Sequence, residues 1–247
     1  MSRELPDQTS LQRRVVAEGV GTALLLATVV GSGIMGERLA GGSVGLALLA
    51  NTLATGAVLV SLILAFGPIS GAHFNPAVTL CAAWEEGLPW QEVRPYAIAQ
   101  VVGAIIGVAV ADMMFGLSPF SFSQHARSGA SQLLSEVVAT FGLLSVIWGC
   151  SRLHSSPVVP FAVGGYITAA YWFTASTSFA NPAVTIARCL TDTFAGIRPI
   201  DVPAFIVAQL VGAVAATMLF RWLVPSLPAV APEVVARHLE RAAGGGR

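Results

Sequence analysis

Two stretches of sequence decide the fold: GAHFNPAVT at residues 71–79 and STSFANPAVT at residues 176–185. Each contains Asn-Pro-Ala-Val-Thr, and each falls in the second part of a long run without Asp, Glu or Arg. Proline has a fixed φ and no N–H, so it suits the first turn of a helix, and the Asn before it suits the N-cap. The stretches therefore predict two short helices, capped by Asn75 and Asn181, that begin at membrane depth.

The length of these segments supports that interpretation. Residues 75–84 and 181–190 each number ten, and ten residues span about 15 Å at helical rise, which is half of a hydrocarbon core about 30 Å thick. Irregular backbone at this depth is tolerated only where it is buried in protein or lines a watery path. We therefore expect two re-entrant segments.

The composition identifies the bilayer as the solvent. Of 247 residues, 55% are hydrophobic and 11% are charged, with 13 Arg, no Lys and 13 acidic residues. This balance excludes a nucleic-acid binder, which needs a basic face, and a disordered chain, and it argues against a soluble enzyme. The three cysteines have no metal-like spacing, so we expect neither a metal nor a cofactor.

Six apolar stretches are long enough to cross a membrane. They lie at about residues 15–35, 44–66, 95–115, 132–150, 157–176 and 202–224, since a spanning helix needs about 20 apolar residues. With both ends inside, nine of the 13 arginines are cytoplasmic, whereas Arg38, Arg127 and Arg198 are external and Arg188 lies on the second short helix. The positive-inside rule therefore predicts that both termini are cytoplasmic.

The two halves of the chain repeat each other. Besides the two boxes, Glu18 corresponds to Glu136 and Gln100 to Gln209, each in a similar local sequence. Three full spans per repeat is an odd number, so the second copy is inverted, and the site of such a protein lies at the midplane. The predicted parts are a cytoplasmic segment 1–12, repeats 13–115 and 131–224, an extracellular loop 116–130 and a cytoplasmic tail 225–247.

In these duplicated boxes and paired Glu and Gln residues the chain resembles the aquaporin (major intrinsic protein) superfamily over about residues 12–224. The resemblance implies an all-α membrane protein of the aquaporin fold, with six transmembrane helices and two re-entrant half-helices, assembled as a homotetramer in the bacterial inner membrane. It assigns the two pore motifs to Asn75, Pro76, Ala77, Asn181, Pro182 and Ala183.

At the centre, the two half-helix N-termini would repel cations and protons, because each carries about half a positive charge. The Asn75 and Asn181 amides would then remain free to donate hydrogen bonds to a passing oxygen; the alternative is that they only cap two buried helices. His73, two residues before Asn75, is either a donor on the pore wall or a pH gate.

The buried carboxylates of Glu18 and Glu136 allow two interpretations. Ionisable groups inside apolar helices are functional candidates, so they could carry protons in a transporter. The family resemblance implies instead that they accept backbone N–H groups of the re-entrant loops, as a scaffold. Gln100 and Gln209 have the same two interpretations.

The selectivity filter departs from the pattern of the family, in which an Arg stands three residues after the second Asn. Here that residue is Val184, and the family's motif offsets place the rest of the ring at Thr55, Ala169 and Ser178. This ring is small and uncharged, like that of bacterial aquaglyceroporin-like channels associated with arsenic-handling systems. Arg188 either reaches the outer vestibule or extends to the membrane interface.

The sequence therefore predicts a passive channel for water and small uncharged solutes, with no catalytic residues. By resemblance these solutes are glycerol-like polyols and metalloid hydroxides such as arsenite or methylated arsenicals. An ordinary water or glycerol facilitator is the alternative within the class. A proton-coupled secondary transporter is the alternative from another class, because inverted repeats and intramembrane Glu occur there too.

Overall fold

The computed structural model describes residues 10–153 and 158–224, and these form eight α-helices and one short 3-10 turn, with no strand among them. The all-α prediction is confirmed. The predicted tail 225–247, most of segment 1–12 and the first residue of the span 157–176 lie outside the described residues. The elements are α1 Leu11–Leu39, α2 Val44–Ser70, α3 Pro76–Trp84, α4 Trp90–Met114, α5 Ala130–Leu153, α6 Val158–Phe173, α7 Pro182–Arg188, the 3-10 turn Pro199–Asp201 and α8 Val202–Leu223.

Five of the described helices are long and apolar enough to cross a membrane. They are Leu11–Leu39, Val44–Ser70, Trp90–Met114, Ala130–Ser151 and Pro199–Leu223, whereas the described part of the sixth, Val158–Phe173, is shorter but also apolar. Large apolar side chains cover the outward faces of these helices, among them Leu53, Ile106 and Val211. A surface of this kind suits lipid tails rather than water.

The two repeats pack their first and last long helices in the same way, α1 on α4 and α5 on α8. Glycine makes both contacts possible: a Cβ on Gly103 would lie 2.1 Å from the Gly19 carbonyl oxygen, and one on Gly212 would lie 2.3 Å from that of Val137. Small residues at such crossings let helix backbones approach closely in membranes. Because Gly103 and Gly212 occupy matching positions, the two halves repeat each other in helix packing as well as in sequence.

The two predicted short helices are present and begin one residue after each Asn. α3 runs to Trp84 as expected, but α7 ends at Arg188 and not at residue 190. The reason is a tightening of its last turn, in which the N–H groups of Cys189 and Leu190 donate to carbonyls three residues back, those of Ile186 and Ala187. Such tighter bonds commonly close a helix C-terminus.

The loop between the repeats folds over the end of α7. The Ser123 N–H donates to the Cys189 carbonyl at 3.0 Å, and the Arg198 N–H donates to the His125 carbonyl at 2.8 Å. The Gln124 N–H donates to Asp192 Oδ1 at 2.9 Å. These bonds tie residues 116–129 to the segment that follows α7, and they bring Arg127 close to the site described next.

Candidate functional site

A cavity runs between the two repeats and contains about 870 Å³ of unfilled space, its open ends included. Its walls are mainly aliphatic side chains of α1, α2, α5 and α6, and both re-entrant segments enter it. We call the end beside Tyr171 and Arg188 the outer mouth, because the Arg distribution predicts that this side faces the cell exterior. The polar side chains of the lining are Thr55, His73, Asn75, Tyr171, Ser178, Asn181 and Arg188.

The two box asparagines meet in this cavity and link the repeats. Each Oδ1 caps its own helix, accepting the N–H of Ala77 or Ala183 at 2.9 Å. Each Nδ2 donates across the midplane at 2.7 Å, Asn75 to the Ala180 carbonyl and Asn181 to the Phe74 carbonyl. The expectation of free amides is therefore corrected: one N–H of each amide belongs to the opposite loop, and only the second N–H can serve a solute.

The carboxylate of Glu18 is fully buried and is hydrogen-bonded to the first re-entrant loop. It accepts the N–H groups of His73 at 3.0 Å and Phe74 at 2.7 Å, the Ser70 hydroxyl at 2.6 Å and the Gln100 amide at 2.8 Å. A carboxylate with this many donors is stabilised as an anion although it is buried. Glu18 does not line the cavity, so its oxygens serve the loop and not a solute.

Glu136 does the same for the second re-entrant loop. Its oxygens accept the N–H groups of Phe179 and Ala180, both at 2.9 Å, and the Gln209 amide at 2.6 Å. Both loops also contain non-glycine residues with positive φ, such as Phe74 at 48° and Ala180 at 46°. Such backbone is costly and persists only where its surroundings hold it in place, which these buried carboxylates do.

Gln100 and Gln209 extend this scaffold to the box threonines, which sequence reasoning left without a role. The Gln100 amide also donates to the Thr79 hydroxyl at 2.9 Å, and the Gln209 amide donates to that of Thr185 at 2.8 Å. The signal was present, because both boxes continue with Val-Thr. His73 lines the cavity, and its Nδ1 lies 3.0 Å from the Thr79 hydroxyl.

Near the outer mouth, Thr55, Ser178 and Val184 line the cavity, whereas Ala169 does not. Ala169 is exposed on the outward face of α6, so its placement in the ring is wrong. Ile167 and Tyr171 face the cavity, and a residue halfway between them points to the other side, since residues four apart share a helix face. Tyr171 takes the place assigned to Ala169, and its hydroxyl lies 3.3 Å from that of Thr55.

Arg188 turns inward and lines the cavity with only 2% of its surface exposed, so it does not extend to the membrane interface. Its Nε donates to the Ala195 carbonyl. Its Cζ lies 3.5 Å from the ring centroid of Phe179, as in a cation–π contact. The guanidinium therefore approaches the ring of Thr55, Tyr171, Ser178 and Val184 from a position one helical turn beyond the residue where the family pattern has its Arg.

A second guanidinium, that of Arg127, lies over the aromatic ring of Phe179, with its Cζ 4.9 Å from the ring centroid. It donates to the carbonyls of Gly196 at 2.8 Å and Ser176 at 3.0 Å. Burial lowers the pKa of Arg127, and attraction from Glu136 opposes that shift. Sequence reasoning assigned this residue only to an outer loop, because nothing in a loop sequence indicates where its side chains turn.

Inverted repeats whose half-helices meet in the middle of a cavity define a class of protein, the multi-pass membrane channel with two re-entrant segments. The comparison with known families agrees. Two matches to the model of the major intrinsic protein family cover residues 6–178 and 150–244 of the chain. The chain belongs to the major intrinsic protein family, and the sequence-based identification of the family is confirmed.

Named relatives place the chain more closely. It is 56% identical over 221 residues to the aquaglyceroporin AqpS of Rhizobium meliloti (strain 1021), an alignment that covers 89% of this chain and 94% of that protein. It is 31% identical to the probable aquaporin AqpM of Archaeoglobus fulgidus, over 87% of this chain and 98% of that protein.

The fold also matches a solved structure, the X-ray structure of the aquaglyceroporin from Plasmodium falciparum. The TM-score is 0.70 at 22% sequence identity, and the match covers 89% of this chain and all of that chain. At this identity the likeness concerns the fold alone, and it confirms the predicted aquaporin fold.

Proposed function

We propose that the protein is a passive channel for water and small uncharged solutes, including glycerol-like polyols and metalloid hydroxides such as arsenite or methylated arsenicals. The observation that carries the proposal is the cavity between the repeats, lined at its centre by Asn75 and Asn181 and at its outer mouth by Thr55, Tyr171, Ser178 and Val184. The name of the relative AqpS, an aquaglyceroporin, supports the polyol part.

The ring at the outer mouth supports a solute larger than water. Val184 replaces the Arg of the family pattern, so the side chain at that position is short and uncharged. The hydroxyl-bearing residues Thr55, Tyr171 and Ser178 line the cavity, whose walls are mainly aliphatic. Such a ring suits solutes that have several hydroxyl groups and one apolar side, because it offers hydrogen bonds beside apolar side chains.

The centre supports exclusion of protons and cations. The N-termini of α3 and α7 meet there, and both asparagines are held in place from two sides. Aligned helix dipoles place a partial positive charge at each N-terminus, and electrostatic barriers of this kind exclude protons and cations from channels. The flux is then driven by the solute gradient alone, without energy coupling.

The remaining expectations are part of the same proposal. We propose a homotetramer with one pore in each subunit, in the bacterial inner membrane, with both termini in the cytoplasm. The Arg distribution supports the orientation. The family itself supports a multi-pass channel in a lipid bilayer.

The test is stopped-flow light scattering on proteoliposomes, with water, glycerol and arsenite gradients applied to one preparation. We expect all three to equilibrate faster than in protein-free liposomes. Fast water flux without glycerol or arsenite flux would refute the polyol and metalloid part. Saturable uptake that depends on a proton gradient, without osmotic water flux, would refute the channel and support a transporter, and Glu18→Gln would then abolish that uptake.

A further inference from the structure

The outer mouth holds two guanidinium groups that have no acidic partner in contact. Arg188 and Arg127 lie on the same Phe179 ring and repel each other electrostatically. In residues 10–153 and 158–224 the side-chain ion pairs are Arg14–Glu92, Arg198–Asp201 and Arg221–Glu85, so neither of the two belongs to one. Arg188 is buried and Arg127 is half-buried. Buried charges are normally paired, and the Arg188 guanidinium is not.

The carboxylate that acts most directly on both arginines is Glu136, and its oxygens are already used. They accept the backbone N–H groups of Phe179 and Ala180 and the Gln209 amide. Asp201 accepts the backbone N–H of Arg127 at 2.8 Å, but its side-chain ion pair is with Arg198. Two cations and one fully engaged anion leave a net positive charge at the mouth.

The Arg188 guanidinium also has donor capacity that the protein does not use. Only its Nε makes a hydrogen bond to another described residue, so both terminal amino groups remain without a protein acceptor. The three guanidinium nitrogens of Arg127, by contrast, donate to the carbonyls of Gly196, Ser176 and Phe194. Arg188 is therefore the group that can bind a ligand, and Arg127 adds charge and anchors the loop.

A hydroxyl converges on the same space. Ser178 Oγ is buried, with 3% of the residue exposed, lines the cavity and has no hydrogen-bond partner among the described residues. The Tyr171 hydroxyl lies on the lining as well. Guanidinium and hydroxyl donors around one space form a site for oxygen acceptors, and a planar guanidinium fits two oxygens of one ligand best.

We propose that the outer mouth binds a small monovalent oxyanion, of the carboxylate or sulfonate class, between Arg188, Ser178 and Tyr171, and that the bound anion blocks the channel to neutral solutes. This inference rests on the proposed channel function. The anion is held at the mouth because the guanidinium of Arg188 lies there, whereas most of the cavity wall is apolar, with residues such as Leu25, Val29 and Val78. An ion that enters an apolar cavity loses its hydration and gains no hydrogen-bond partner in exchange, which is costly.

The test uses glycerol flux in proteoliposomes, with sodium methanesulfonate as the probe. Methanesulfonate stays charged at neutral pH and does not cross lipid as a neutral acid. It is present at equal concentration on both faces, and the reference is sodium chloride at the same concentration, whose anion has no oxygen atoms to pair with a guanidinium. At about 50 mM we expect roughly a two-fold or greater fall in the glycerol rate, because a few charge-assisted hydrogen bonds support binding in the millimolar range.

Variants assign the effect to the site. Each variant is compared with its own rate in chloride, so that only the fractional inhibition is read. We expect R188Q to lose the inhibition and S178A, which breaks no hydrogen bond within the protein, to weaken it. The matched control is R198Q, which removes another outer arginine that has a carboxylate partner, and it should be inhibited as the wild type is.

The outcomes separate the two proposals. No glycerol flux above that of empty liposomes would overturn the channel function itself. Rapid glycerol flux in the wild type that methanesulfonate does not reduce would overturn the anion site and leave the channel function intact, whether or not the variants fold. Inhibition that is equal in wild type, R188Q and S178A would also overturn the site.

Discussion

Glu136→Gln removes one oxygen acceptor and adds two donors next to three groups that all donate to the carboxylate. In the wild type, Oε1 accepts the Phe179 N–H, and Oε2 accepts the Ala180 N–H and the Gln209 amide. The glutamine does best with its oxygen on the side of Ala180 and Gln209. Its NH2 group then faces the Phe179 N–H, and two donors meet without an acceptor.

The cost follows from that geometry. A hydrogen bond to a charged group is worth about 1.5–3 kcal/mol, and leaving its partner buried and unsatisfied forfeits the full amount. The two bonds that remain are weaker as well, because their acceptor is now neutral. We expect the substitution to destabilise the fold by about 3 kcal/mol, which lowers the melting temperature by about 6–12 °C at 2–4 °C per kcal/mol for a chain of this size.

The assay is thermal unfolding of the purified protein in detergent, together with osmotic water permeability in liposomes. The matched control is Glu37→Gln, an exposed carboxylate near the end of α1, and it should leave the melting temperature unchanged. If Glu136→Gln and Glu37→Gln melt at the same temperature as the wild type and conduct water equally, then Glu136 does not hold the loop and the scaffold interpretation is refuted.

Three further substitutions test other parts of the molecule. Val184→Arg places a long cation in the ring, so the glycerol rate should fall by about tenfold while some water flux remains. A tenfold fall corresponds to a barrier about 1.4 kcal/mol higher. An unchanged glycerol rate in stopped flow would mean that the constriction lies elsewhere. Tyr171→Ala widens the ring and should raise the flux of a four-carbon polyol relative to glycerol, whereas an unchanged ratio would contradict the correction from Ala169. Gly103→Ala forces a Cβ toward the Gly19 carbonyl and should cost about 2 kcal/mol or more, as a lower melting temperature, while Gly165→Ala, which has open space around it, should cost nothing.

The centre of the channel was predictable from sequence because every part of it occurs twice. Each residue of a pair indicates that its counterpart has the same role, as in the pairs Asn75 and Asn181, Glu18 and Glu136, and Gln100 and Gln209. Because Asn favours the N-cap and Pro the first turn of a helix, the boxes were predicted to start the short helices. What the sequence did not predict is the bond from each asparagine to the opposite loop. That bond depends on two segments more than 100 residues apart meeting at the midplane.

The outer mouth was predictable only in part because its residues occur once. A count from the second Asn led to Ala169, and the count failed because a fixed offset ignores which face of a helix points inward. The stripe of Val163, Ile167 and Tyr171, spaced by four, lines the cavity and would have led to Tyr171 instead. Arg127 had no such signal, because a loop has no periodicity from which the direction of a side chain can be inferred.

Residues at the centre occur in pairs, whereas those at the outer mouth occur once, and the two regions differ in which substitutions they tolerate. Glu136 and Gln209 are bound into the hydrogen bonds that keep a loop open, so substitutions there act on folding first. The Ser178 hydroxyl and the terminal amino groups of Arg188 make no hydrogen bond within the described protein, so what they bind can be altered at little cost in stability. In our proposal, solute choice and anion binding depend on groups that make no hydrogen bond within the described protein. Substitutions at Ser178 should therefore change flux ratios while leaving the free energy of unfolding within about 0.5 kcal/mol of the wild type.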